Sequence, residues 1–444
     1  MWTDALGNPV TLDGGEASRA AVDDFVQGFI GSQSRAVNVL AAAEDTSPLV
    51  QAYCAAVHMF AEAPQAPANA RPFIERALAG CARATAREAR FIHAVHAWVE
   101  RDLPRAIALH EEQAAEHPRD LASLKLGQYH LFNRGDAPGM LRIALRCRDA
   151  AADVPYLHGM LAFGWEQCHA LEQAESHARQ AIALQRAEPW AHHALAHVML
   201  TQGRVREGHA FLADVSETWV GLNSFMLTHN WWHQALFALE LDDAAQVLDL
   251  YDRRVWGVAC DYSQDQANAV SLLARMELAG IDVSDRWQEL ARWLAPRTCD
   301  QVLPFLDLHY LLGLARAGRP EAAQLLRNLE SHAARAPDHA RPAWEVAASA
   351  ARGLQAWAHG EHGEAVRWLG PALPRMLQTG GSHAQRDLFE QIHLDALERS
   401  GHGAAAQHLL QPRLRQQPES LRLRRQAQRL YGALGLSGCT HAFL

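Results

Sequence analysis

Apolar and polar residues follow a helical period from Ala21 to Leu434, with short breaks and no sustained strand-like alternation. The breaks fall at prolines and glycines, among them Pro64/Pro67, Pro118, Pro155, Pro189, Pro296, Pro337/Pro342, Gly380/Gly381 and Pro418. Residues 1–20 read as irregular, because Gly7, Pro9, Gly14 and Gly15 interrupt any helix. Aligning the inter-helix turns exposes a repeat. Turns stand at Arg101, Gly135, His169 and Gly203, each 34 residues apart, with Arg101 where a turn glycine is expected. Further turns fall near Asp242, Gly280, Gly318, Gly360 and Gly401, at intervals of 38 to 42 residues. The best-fitting repeat runs from Leu171 to Trp190, although Arg186 stands where the repeat-closing proline usually is.

A helix-turn-helix unit of this length is the tetratricopeptide pattern. Each hairpin has an apolar face it cannot bury alone, so the hairpins stack. The expected fold is an all-α, tetratricopeptide-repeat-like solenoid, a right-handed superhelix closed tightly enough for its ends to approach. The expected layout is an irregular segment at 1–20, one α-solenoid over 21–434 and a tail at 435–444. The first helices of the hairpins should line a concave groove.

Composition agrees with helices: Ala and Leu dominate the 49% hydrophobic fraction, while Val and Ile are sparse. The formal charge of −9 gives nucleic-acid binding no electrostatic support, and no nucleic-acid partner is expected. Lys125 is the only lysine, so a glycine-loop phosphate site with its lysine is excluded and a Schiff base would need Lys125. The 7 cysteines form no CxxC pair and read as reduced thiols. The N-terminus lacks the basic start and apolar run of a signal peptide. No apolar run approaches the roughly 20 residues of a membrane helix. A cytoplasmic protein without a membrane partner is expected.

Candidate chemistry concentrates between Trp190 and His233. His193 and His197 form one i, i+4 pair, and His229 and His233 a second, 36 residues on. Each pair sets two imidazoles on one helix face, and the register points the first pair into the groove. Neutral imidazoles at this spacing are good ligands for a divalent metal ion, with a carboxylate such as Asp307 able to join them. The competing reading is that some pairs arise by chance among 25 histidines. A metal-free alternative uses His193, His233 or His309 with Asp265 or Asp307 as an acid–base pair. No His-Glu-x-x-His or Gly-x-Ser-x-Gly motif is present. Trp165, Trp190, Trp231 and Trp232 serve either as an aromatic pocket or as packing knobs. Ser382 and Gln385 read as a capping box, and Arg386 either enters an ordinary ion pair or binds an anion.

Four segments together resemble the tetratricopeptide repeat protein 38 family: Trp190 to Val198, His229-Asn230-Trp231-Trp232-His233, Phe305-Leu306-Asp307-Leu308-His309, and Gly380 to Asp387. The resemblance spans about residues 20 to 430. It implies a cytosolic helical-repeat protein and supplies no settled activity. Its motifs carry over as His193, His197, His229, Asn230, Trp232, His233, Asp265, Asp307, His309, Gln385, Arg386 and Asp387. Two departures stand out: Asn268 replaces an acidic residue, and Val198-Met199-Leu200 follows His197 where relatives often have a Glu.

The resulting expectation is a small-molecule-binding protein, and an enzyme on one reading, with a polar His/Asp pocket in the concave face. His193, His233, His309 and Asp307 are its catalytic candidates. His197, His229, Asn230, Trp232, Asp265, Gln385, Arg386 and Asp387 are its ligand-binding candidates. The alternative is a scaffold that binds a partner protein or peptide in the same groove.

Overall fold

The computed structural model describes residues 2–436, which form one short strand pair and 22 α-helices. Strands β1 (Trp2–Thr3) and β2 (Pro9–Val10) pair antiparallel, Trp2 opposite Val10. Asp4 holds their turn by accepting the backbone N–H groups of Leu6 and Asn8 at 3.0 and 2.8 Å. The first helix begins at Glu16, directly after Gly15 at φ 63°. The segment 1–20 therefore carries a strand pair and a helix start. Of the tail at 435–444, residues 437–444 lie outside the described residues.

Helices α1 (Glu16–Ile30), α2 (Pro48–Met59) and α3 (Ala66–Gly80) precede the regular array. The hairpins then run α4 (Ala86–Val99) with α5 (Leu103–Glu116), α6 (Leu121–Asn133) with α7 (Ala137–Cys147), and α8 (Pro155–Gln167) with α9 (Leu171–Leu184). Next come α10 (Pro189–Thr201) with α11 (Val205–Val215), α12 (Ser224–Glu240) with α13 (Ala244–Leu250), and α14 (Ser263–Leu278) with α15 (Ser284–Leu294). The array ends with α16 (Pro304–Arg316) and α17 (Glu321–Arg335), α18 (Arg341–Ala358) and α19 (His362–Ala372), α20 (His383–Arg399) and α21 (Gly403–Gln416), and the unpaired α22 (Leu421–Ala433).

All nine turn positions read from the sequence sit in the left-handed region, with φ between 58° and 84°. In each, the residue after the turn donates its N–H to a carbonyl five residues back, as Asp102 does to Ala97 at 2.8 Å and His402 to Leu397 at 2.9 Å. This is the helix-ending bond that lets one helix stop and the next reverse. Asp102, Asp136 and Asp243 then cap the second helices through their carboxylates. Inserted turns lengthen several of the spacings after Gly203, while the longest, from Gly318 to Gly360, holds the 18-residue α18 and no such turn. A wide turn at Tyr251–Val255 follows α13, and tight 3₁₀ turns at Ala295–Cys299 and Leu373–Thr379 follow α15 and α19.

Contacts divide the chain into two compact units. Unit 1 runs to Leu195 and takes in Glu217–Met226; unit 2 comprises Ala196–Ser216 and the chain from Leu227 on. The core of unit 1 includes Phe25, Tyr53, Phe91 and Trp98. The main core of unit 2 runs from Trp232 to Ala396. A separate apolar cluster ties α20, α21 and α22 together through Leu397, Leu410, Leu423 and Tyr431. Unit 2 closes on itself. Gln416 and Gln417 donate to the carbonyls of Thr201 and Leu200, and Arg422 pairs with Glu240 at 2.7 Å. Among the described residues, no helix is long and apolar enough to cross a membrane.

Candidate metal centre

Helices α10 and α12 carry the two His pairs. His193 and His197 are 2% and 1% exposed, His229 and His233 2% and 0%. The groove-facing positions are thus enclosed. Within unit 2, His197, His229 and His233 each offer one ring nitrogen, and these nitrogens lie within 4.8 Å of one another. In a tetrahedral zinc site with bonds of about 2.0–2.1 Å, nitrogens sit about 3.4 Å apart. The rings of His197 and His233 are 4.6 Å apart, and those of His229 and His233 4.9 Å.

A polar relay orients His229. Its Nδ1 is 2.9 Å from Asn268 Oδ1 and donates to it, which sets the ring's tautomer and orientation. Asn268 Nδ2 donates to Thr228 Oγ1 at 3.3 Å, and Thr228 donates to Asp265 Oδ1 at 3.1 Å. Thr228 and Asn268 thus join Asp265 to the cluster. Burial pulls the His229 pKa down to about 3, against the Asn268 bond, and His197 lowers it further. A neutral imidazole at physiological pH is the form that binds metal. Trp232 is fully buried and stacks on His229 at 5.0 Å with 9° between the planes. Trp231 is half-buried beneath Arg254. Asn230 is 0% exposed, and neither its side-chain nitrogen nor its oxygen has a hydrogen-bond partner.

The remaining predicted residues have partners of their own. Asp307 is 1% exposed; Gln301 donates to its Oδ1 at 3.4 Å and its Oδ2 has no partner. Burial pushes its pKa well above the carboxylate range, and Asp300 adds to the rise. His309 donates from Nδ1 to the Phe305 carbonyl at 2.8 Å and packs between Phe305 and Phe389. Burial takes it down to about 4. Gln385 completes the capping box with Ser382. The Arg386 guanidinium donates to the Gly381 carbonyl and to His383 Nδ1. Asp387 pairs with Arg413 at 2.6 Å; burial raises its pKa, but Arg413 and Arg275 outweigh that and hold it low.

Sequence reasoning missed Arg275 on α14. It is 2% exposed, and its guanidinium lies 5.4 Å from the Trp232 ring centre. A lone arginine on a helix carries no spacing signal that would have revealed it.

No family profile matches the sequence. Three solved structures resemble the chain along most of its length. A monomeric IFIT1 mutant with Gppp-AAAA gives a TM-score of 0.44 at 12% identity, covering 95% of this chain and 94% of that one. The human IFIT1 dimer with PPP-AAAA gives 0.43 at 12%, covering 95% and 93%. The human IFIT1 dimer with m7Gppp-AAAA gives 0.43 at 11%, covering 99% and 96%. The likeness reaches the level of a helical-repeat architecture of tetratricopeptide type and goes no further. It does correct one expectation, the exclusion of nucleic acid. IFIT1 carries such ligands in those structures, and a formal charge of −9 is a sum over the whole chain that excludes no local basic path.

Proposed function

We propose that the protein binds a divalent transition-metal ion at His197, His229 and His233, with His193 one turn earlier on α10, and that this ion helps hold a small ligand. The observation that carries the reading is the convergence of three buried imidazoles of unit 2, those of His197, His229 and His233, within 4.8 Å. An all-nitrogen set suits Zn²⁺, Cu²⁺, Ni²⁺ or Fe²⁺ better than Mg²⁺ or Ca²⁺. A bound ion would supply Lewis acidity to a ligand oxygen. Burial of the imidazoles favours a small ligand over a partner peptide, which would need an exposed face. The relay through Asn268, Thr228 and Asp265 supports the reading, because a ligating histidine is ordinarily oriented through its second nitrogen. The six cysteines among the described residues are all free, which supports a reducing compartment such as the cytoplasm. The segments that resemble the tetratricopeptide repeat protein 38 family include both His pairs.

Elemental analysis of the purified full chain tests it. Near one ion per chain is expected as isolated, or after chelation and reloading with Zn²⁺. His233→Ala should lose the ion, and Asn268→Ala should weaken its affinity roughly 10- to 100-fold. Wild-type protein that takes up no ion from any of the four metals would sink the proposal.

A further inference from the structure

The interior of unit 2 holds a buried cation with no acid of its own. Among the described residues, no carboxylate comes within 4.0 Å of the Arg275 guanidinium. The acids whose fields reach it are engaged elsewhere: Asp387 with Arg413 at 2.6 Å and Glu240 with Arg422 at 2.7 Å. The bonds Arg275 does make run to neutral acceptors. Nη1 donates to Ser271 Oγ at 2.6 Å and more weakly to the Ser271 carbonyl at 3.5 Å; Nη2 donates to the Ala384 carbonyl at 2.6 Å. A guanidinium has five N–H donors, so these bonds leave about two to offer. Burial lowers its pKa to about 10, so it stays charged at neutral pH. A buried charge left without a counter-charge is costly, and a site that receives an anion is one place where that cost is offset.

Its surroundings point the same way. Trp232 lies between the two groups in contact terms, with Arg275 5.4 Å from its ring centre and His229 stacked at 5.0 Å. The field of Arg275 also reaches His309. On the helices of this interior, Asn230 Oδ1 and Nδ2, Trp232 Nε1 and Asp307 Oδ2 are buried without hydrogen-bond partners. Native interiors rarely leave polar atoms so.

We infer that the ligand of unit 2 carries an oxyanion group, carboxylate or phosphate, and that Arg275 receives it. A planar guanidinium matches either group through paired N–H donors. The anion role that the sequence offers to Arg386 falls instead to Arg275, whose guanidinium is the more deeply buried. The inference rests on the proposal that this interior holds a small ligand, but it stands apart from whether a metal is bound.

Isothermal titration calorimetry on the full chain, with inorganic phosphate and with succinate, tests it. Wild-type protein should bind at least one of the two. Arg275→Lys should weaken that binding tenfold or more, and Arg275→Met should abolish it, while both variants keep the metal content of wild type. Should the Met variant lose its helical circular dichroism, the Lys variant alone decides. A chain that takes up none of the four metals yet binds the anion through Arg275 would sink the metal proposal and leave this one standing. Absence of any anion binding by wild type overturns the inference, as does full affinity in Arg275→Lys.

Discussion

At each His pair one imidazole lies against a tryptophan: His193 on Trp190 at 4.7 Å and His229 on Trp232 at 5.0 Å. Each tryptophan also carries a cation on its ring, half-buried Lys125 and buried Arg275 respectively, both at 5.4 Å. The stacking fixes ring orientation before any ligand arrives. Asp307 offers a test of the same interior through its charge. Its proton is held more tightly in the folded chain than in the unfolded one, because burial penalises the carboxylate. The stability associated with that raised pKa is present below the unfolded value of 3.8 and lost as pH rises towards the folded value. Asp307→Asn keeps the oxygen that accepts from Gln301 and removes the titration. Its urea midpoint should match wild type at pH 4 and exceed it at pH 8; a midpoint below wild type at pH 8 alone would show that the ionised carboxylate is stabilising. The His pairs are legible in the sequence because i, i+4 spacing and a repeat-length offset are sequence properties. The Asn268 relay and the setting of Arg275 are not, since His229 lies 39 residues from Asn268 and Ala384 lies 109 from Arg275, and only packing brings them together.

The turns are the most legible elements. A residue forced to positive φ, followed by a helix cap, leaves a mark whether it is Gly203 or the less favoured Arg101, His169 and Asp242. The inserted turns at Tyr251–Val255, Ala295–Cys299 and Leu373–Thr379 show only as a lengthened period, because none has a strong local signature. Two glycine turns separate conformation from contact. Gly280, at φ 84°, has open space where a Cβ would go, whereas a Cβ on Gly203, at φ 71°, would run into the Gln416 carbonyl oxygen. Gly280→Ala should cost about 1–2 kcal/mol, the ordinary left-handed penalty. Gly203→Ala should cost more, because backbone must move. Urea denaturation of both variants checks the difference, and equal losses would mean that residues 416–417 yield freely.

Within unit 2, α22 and the turn before it are tied to α11 and α12 by polar contacts. Arg422 donates twice to Glu240, at 2.7 and 3.0 Å, and Ser420 donates to the same carboxylate. Arg425 reaches Asp242 at 2.9 Å and the Ala279 carbonyl at 2.6 Å, and Glu419 accepts the Arg206 N–H at 3.0 Å. The clasp joins residues about 180 apart, so no local pattern announces it, and neither does the division of the array into two units. Its central pair is buried, with Arg422 and Glu240 side chains 8% and 9% exposed. Removing one member of such a pair leaves a desolvated charge, whereas replacing both with apolar residues removes the charges together. Glu240→Ala should therefore lose about 3–5 kcal/mol, and Glu240→Met combined with Arg422→Met should lose much less. A double-mutant cycle by urea denaturation measures the coupling, and a double variant as unstable as the two single losses combined would show that the pair does not act as a unit. Because Glu240 ends the helix that carries His229 and His233, the single variant should also release metal at a lower urea concentration than wild type, while the Met/Met variant should retain it.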